Sequence, residues 1–166
     1  MNNKINSNYS RVNAVNYAIK YAEHPNPSYK YFPVQYDNGG DCTNFTSQCL
    51  FAGGAPMVFS SSNIWWYNSK GWSVSWATAH SLYWYLKVSG NDNLYGVKGR
   101  EVSSISSLET GDLIFYRNDN DKLTHSAIIT SFNEDIPLIS QHSPEVLNIP
   151  YIKPWASKMH FIKISL

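Results

Sequence analysis

The apolar residues of this chain change their spacing partway along, and that change limits the folds open to it. Early on they recur at helical intervals. Val12, Val15, Ala18, Ile19 and Ala22 form one stripe that predicts a helix over residues 11–23, ended by Pro25 and Pro27. A second helix is expected over 41–52, with Phe45, Cys49 and Ala52 continuing the face of Cys42, and Gly53, Gly54 and Pro56 stopping it. A third is expected over 76–88, with Leu82, Tyr85 and Leu86 inward and Gly90 as terminator. Between these, 28–36 reads as extended and aromatic, and 57–73 as irregular and Trp-rich. Later the runs shorten to strands at 113–116, 126–130, 136–141 and 159–164, with turns at Thr110-Gly111-Asp112 and Asn133-Glu134-Asp135. Helices followed by strands predict an α+β domain, an antiparallel sheet with helices packed on one side.

The 166 residues suit one domain, with residues 1–10 as an N-terminal arm. A net charge of +1 without a Lys/Arg run argues against a nucleic-acid partner. No apolar run is long enough to cross a bilayer, so membrane insertion is not expected. The expected oligomeric state is a monomer. The start, residues 1–13, is polar and lacks the apolar stretch of a signal peptide. The expectation is a protein held in its cell until something releases it, or a domain of a longer secreted chain.

Cys42 carries the strongest chemical signal. A thiol attacks well only as thiolate, and a helix N-terminus stabilises that anion. Asp41 is expected to cap the helix by accepting from its first-turn amides, which makes Cys42 the first helical residue. A buried small hydrophobe is the competing reading of Cys42, and the preferred one for Cys49 in mid-helix. Spaced seven apart on one helix, the two sulfurs are too distant for a disulfide, so free thiols are expected. The thiol needs an imidazole from elsewhere in the fold, and His125, opening an apolar strand, is the candidate base. His142 closes the returning strand of the same hairpin and is preferred as the residue that orients His125. Gln141 is the alternative, because alternation turns it to the other face unless a bulge intervenes. Tyr36, just upstream, is a candidate oxyanion donor. A zinc set of Cys42, His125 and His142 is a weaker reading, since no pair has the tight spacing of a zinc motif. His24, His80 and His160 read as structural, Asp112 as a turn cap, and Asn44 and Gln48 as ties to adjacent backbone. Trp65, Trp66, Trp72, Trp76 and Tyr83 are candidates for the walls of a groove, or for core.

The run from Gly39 to Leu50, followed by Ala52-Gly53-Gly54, resembles the putative amidase domains of Gram-positive bacteria and their phages. These belong to the wider papain-like, NlpC-type group of cell-wall cysteine hydrolases. Gly111-Asp112-Leu113-Ile114-Phe115 and Thr124-His125-Ser126-Ala127-Ile128-Ile129 are similar to that group's later pattern. The resemblance implies a papain-like fold with a helix carrying the cysteine packed on an antiparallel sheet carrying the histidine. It implies that a third polar residue lies on the next strand, where Ser140-Gln141-His142 falls. It also implies cysteine-dependent hydrolysis of an amide in bacterial peptidoglycan, as in an endolysin or autolysin, with no metal or organic cofactor. The scissile bond would be the muramoyl–L-alanine link or one within the stem peptide. Two rival readings keep the fold: a non-catalytic wall-binding module, and an acyl transferase or toxin using the same Cys–His site.

Overall fold

The computed structural model describes residues 8–36 and 38–166. The rest of the expected arm, residues 1–7, lies outside the described residues. The part described is docked: Tyr9 donates its hydroxyl to Gly111 O at 2.9 Å, and Ser10 N donates to Gly53 O at 2.8 Å.

In chain order the elements are α1 (Arg11–Tyr21), the short hairpin β1 (Val34–Gln35) and β2 (Asn38–Gly39), α2 (Cys42–Ala52), a second small hairpin β3 (Tyr67–Asn68) and β4 (Gly71–Trp72), α3 (Val74–Ala77) and α4 (Ala79–Asn91). Then follow β5 (Lys98–Val102), β6 (Leu113–Arg117), β7 (Leu123–Asn133), β8 (Ile136–Gln141), β9 (Val146–Pro150) and β10 (Lys158–Ser165). The last six strands form one sheet in the order β5-β10-β6-β7-β8-β9, antiparallel at every pairing. The chain is therefore α+β, as the order of apolar periods predicts.

Side chains alternate across the sheet, and each face has its own core. Leu113, Phe115, Ile128 and Ile162 pack against Phe45 and Leu50 of α2 and Leu82 and Leu86 of α4. Ile114, Tyr116, Ala127, Ile129 and Ile139 form the other face, covered by partly buried Ile105, Ile149 and Phe161. Each such fully buried side chain contributes about 1.5–3 kcal/mol.

The middle helix α2 is enclosed on every side: all residues from Cys42 to Leu50 are buried. Its polar residues are tolerated because they are paired. Thr43 Oγ1 and Thr46 Oγ1 each lie 3.0 Å from Ser126 Oγ on β7. Gln48 Oε1 accepts from Tyr17 at 2.6 Å, and Ser47 Oγ donates to Trp76 O at 2.9 Å. These bonds fix the rotation of α2 against β7, which sets where its first residue points.

Three sequence expectations change. In α1 the buried residues are Ala14 and Ala18, while Val12 and Ile19 are 69% and 45% exposed. The contact is made by small residues because α1 and the end of α2 pack closely: a Cβ on Gly53 would stand 3.1 Å from that of Ala14. The expected third helix is two helices, broken at Thr78, whose backbone is extended. Gly90 does not terminate α4 but lies within it, where a Cβ would come within 2.4 Å of Gly99 O on β5. Edge strands β5 and β9 are absent from the sequence reading: β5 is mostly polar, and β9 is short, interrupted by Asn148 and ended by Pro150, and neither has a buried apolar run.

Candidate active site

The site begins where the chain turns into α2. Gly39 and Gly40 take the positive φ values of 79° and 112° that L side chains rarely adopt. Asp41 follows, but its carboxylate makes no capping bond to the first-turn amides. It accepts instead from Phe32 N and Asn44 Nδ2, both at 2.8 Å, and from His142 Nδ1 at 2.5 Å. The expected N-cap is thus a cross-brace, tying the start of α2 to the preceding extended segment and to the end of β8. The amides at the start of α2 are left without a carboxylate partner, and helix geometry gives them no intrahelical acceptor.

Cys42 is the first residue of α2, with 6% of its surface exposed. Burial pushes its thiol up, but the charge of His125 and a hydrogen bond to its imidazole pull it down, helped by the Ser126 backbone and Thr43. The result is a thiol lowered from the ordinary 9.0 to about 7. Cys49 shares the helix but has only burial acting strongly on it, which pushes it well above the ordinary value. Both thiols are free. The sequence pair Cys42–His125 is therefore brought near enough for the imidazole to act on the thiol, and Cys49 is core.

The third residue differs from the sequence preference. His125 Nε2 donates to Gln141 Oε1 at 2.8 Å. The amide is oriented by its own Nε2 donating to Pro144 O at 3.3 Å. This arrangement leaves Nδ1 of His125 as the nitrogen for the thiol. His142, the preferred candidate, faces the other way. It is 1% exposed, stacks on Phe45 at 4.1 Å between ring centroids, and donates to Asp41 and, at 2.8 Å, to Tyr21 O.

A β-bulge decides between the two. Regular pairing from the turn, where Asn133 faces Ile136, would set Ala127 opposite His142 and give His142 the face of His125. The ladder shifts between Ile129 and Ser131, so that Ile128 faces Ser140 and Ala127 is next in line with Gln141. One inserted residue flips every side chain beyond it.

Tyr36, the candidate oxyanion donor, sits in the turn between β1 and β2 and is 98% exposed. Trp65 and Trp76 are fully buried and Tyr83 nearly so, hence core. Trp66 stacks on Phe59 at 5.6 Å. Of the five expected wall aromatics only Trp72, 36% exposed, lines the groove. A cavity of about 240 Å³ opens beside Cys42, lined by Gly40, Thr43, Thr78, His80, Leu123 and Thr124 among others. A wider depression of about 500 Å³ continues past Gly39 and Gly40 to Lys30, Phe32 and Trp72. Together they form an elongated trough with the sulfur on its floor. Asp112 is fully buried and paired with Arg11 Nη1 at 2.7 Å, and Asn44 bridges Lys30 O to Trp76 Nε1, so both hold the frame. Among the described residues no group of three or more His, Cys, Asp or Glu side chains is placed to hold a metal. No helix among them is long and apolar enough to cross a membrane.

Beside His125 stand residues the sequence reading passed over. Tyr116 lies 5.6 Å and Trp155 6.0 Å from the imidazole, ring to ring. Lys153 Nζ lies 5.1 Å over the Tyr116 ring. The sequence signal available was Pro154, which favours a tight turn.

Comparison with known proteins places the chain in a family. The model of the family described as putative amidase domain matches residues 8–165. Two uncharacterized proteins of Bacillus subtilis (strain 168) are similar. YhbB is 38% identical over 136 residues, covering 80% of this chain and 40% of its own length. YjcM is 33% identical over 151 residues, covering 86% of this chain and 32% of its own. The chain thus spans well under half the length of these relatives. No solved structure matches. With the family's model covering almost the whole chain and the Cys–His pair in place on helix and sheet, the chain belongs to the putative amidase domain family.

Proposed function

We propose that the chain is a cysteine-dependent amide hydrolase of the papain-like, NlpC-type kind, acting on bacterial peptidoglycan. The observation that carries this reading is the Cys42 thiol set against His125 at the floor of an open trough, with the other ring nitrogen held by Gln141.

His125 Nδ1 takes the thiol proton. The thiolate attacks the amide carbonyl, and the oxyanion is held by amides in the first turn of α2, where the helix dipole also favours negative charge. The imidazolium then protonates the leaving nitrogen, the C–N bond breaks, and a thioester remains on Cys42. His125 next takes a proton from water, which attacks the thioester; carboxylic acid leaves and the thiol is restored. Gln141 keeps the ring in the tautomer that presents Nδ1. No metal is needed for any step.

The substrate proposal rests on the family description and on the trough, which is elongated and walled by Phe32 and Trp72, a form suited to a peptide carrying a sugar. The bond cut is an amide of the stem, either the muramoyl–L-alanine link or one between stem residues. The protein would act at the cell wall, as the catalytic part of a lysin or autolysin. Purified protein is expected to release fragments from Gram-positive walls with new amine and carboxyl ends, seen by mass spectrometry. Cys42→Ala should release none, and equal release by that variant would refute the mechanism.

A further inference from the structure

Of the five other half-buried cations, four have an acidic partner, and the fifth, Lys98, has no ion pair among the described residues. Arg11 pairs with Asp112 at 2.7 Å, Lys87 with Glu101 at 2.7 Å, Lys163 with Glu109 at 2.8 Å and Arg117 with Asp121 at 3.5 Å. Lys153 departs from this pattern. It is half-buried, and its ammonium meets only the face of Tyr116. Among the described residues no carboxylate or hydrogen-bond acceptor contacts it.

Its surroundings are built. Ala156 N donates to Lys153 O at 3.0 Å, closing a turn with Pro154 and Trp155 at its corners. Tyr116 Oη donates to Tyr151 O at 2.8 Å, and Ser157 N donates to Arg117 O at 3.0 Å, so both ends of the loop are tied to β6. Tyr116, beneath Lys153, is 5.6 Å from the His125 ring, and Trp155, 46% exposed, is 5.9 Å from Tyr116. The ammonium is thus held over Tyr116, next to the His125 ring of the reacting pair.

We infer that Lys153, flanked by Trp155, is a specificity residue that receives a carboxylate on the substrate next to the scissile amide. This rests on the hydrolase reading and names the chemistry its substrate must carry. A half-buried ammonium lacking a protein anion gains most from a ligand that brings one, and the low-dielectric wall strengthens the pairing. Consistent with that, burial pushes the Lys153 ammonium down, and Cys42 is near enough for its charge to act in the opposite direction. In a peptidoglycan stem the carboxylate has two sources: the free α-carboxylate of a γ-linked glutamate, or the terminal carboxylate of the peptide.

Two measurements test this. In the first, Cys42 of the intact chain is alkylated with anionic iodoacetate and with neutral iodoacetamide at one pH. The ratio of the two rates cancels the thiolate fraction. Lys153→Met should lower that ratio about fivefold, the effect of one unit charge a few ångströms away, and Lys153→Arg should restore it. In the second, stem peptides are offered with both carboxyl groups free, with the internal one amidated, or with the terminal one amidated. Wild type should lose efficiency through KM on amidation of one of these, which identifies the source, and Lys153→Met should not discriminate. A ratio unchanged in Lys153→Met, or a carboxylate preference that survives it, overturns the assignment. Cleavage of none of the peptides, nor of intact walls, by wild type would refute the hydrolase reading, while the alkylation ratio still decides whether Lys153 receives an anion at Cys42.

Discussion

Replacing His125 with Ala isolates the force that makes Cys42 reactive. Burial alone drives the thiol up, and the imidazole's charge and hydrogen bond more than reverse this, leaving it at about 7 against the ordinary 9.0. Without the ring the burial remains, so the thiol should titrate at 9 or higher. At pH 7 the thiolate then falls from about half of the molecules to about 1% or less, roughly a fiftyfold loss. A more basic thiolate is also a better nucleophile, which returns about eightfold for two units at a Brønsted slope near 0.45. The net fall in alkylation rate at pH 7 is therefore only about sixfold, and the midpoint of the pH–rate profile is the sharper readout. The sign follows from the lowering: the reactive anion is present above about 7 and is lost as pH falls through that value. Iodoacetamide labelling followed by intact-mass measurement from pH 5 to 10 gives the profile. Cys49, buried and pushed well above the ordinary range, should stay unlabelled and serve as internal control. A His125→Ala profile still centred near 7 would show that something other than the imidazole lowers the thiol, and the proposed base would fall with it.

Two further outcomes separate positioning from framework. Gln141→Ala should lower turnover on walls by up to about a hundredfold through loss of ring orientation, with the unfolding midpoint near that of wild type. His142→Ala should instead cost about 3 kcal/mol in urea unfolding, because it strips a partner from the buried Asp41 carboxylate; the reverse pattern would return His142 to the role of partner to His125. Gly90→Ala should destabilise the fold, although Ala is the better helix former by about 1 kcal/mol, because overpacking against the Gly99 carbonyl costs about 1–3 kcal/mol. A rise in its denaturation midpoint would contradict the close approach of α4 and β5.

The wall aromatics and the third site residue show where sequence reasoning stops. Trp65, Trp72 and Trp76 are alike in the sequence, yet two are core and one lines the trough. Lys153 and Trp155 sit in a loop near the end of the chain, with nothing nearby in sequence to link them to Cys42 or His125. Only the antiparallel return of β10 beside β6 carries that loop to the sheet end where Tyr116 pairs with His125.

By itself the sequence determined what depends on neighbours along the chain. The apolar period chose helix or strand, the glycine pairs set the ends of α2, and Asp41-Cys42 put a sulfur at a helix start. Local sterics and hydrogen bonding act over a few residues, so their marks are readable there. The tertiary structure decided what depends on register and on distant partners. One bulged residue at Thr130 gave Gln141 rather than His142 to His125. Packing against α2 and the end of β8 turned Asp41 from a cap into a brace. A ladder shifted by one residue exchanges the faces of a strand without altering its sequence, so such choices are made only when the sheet closes.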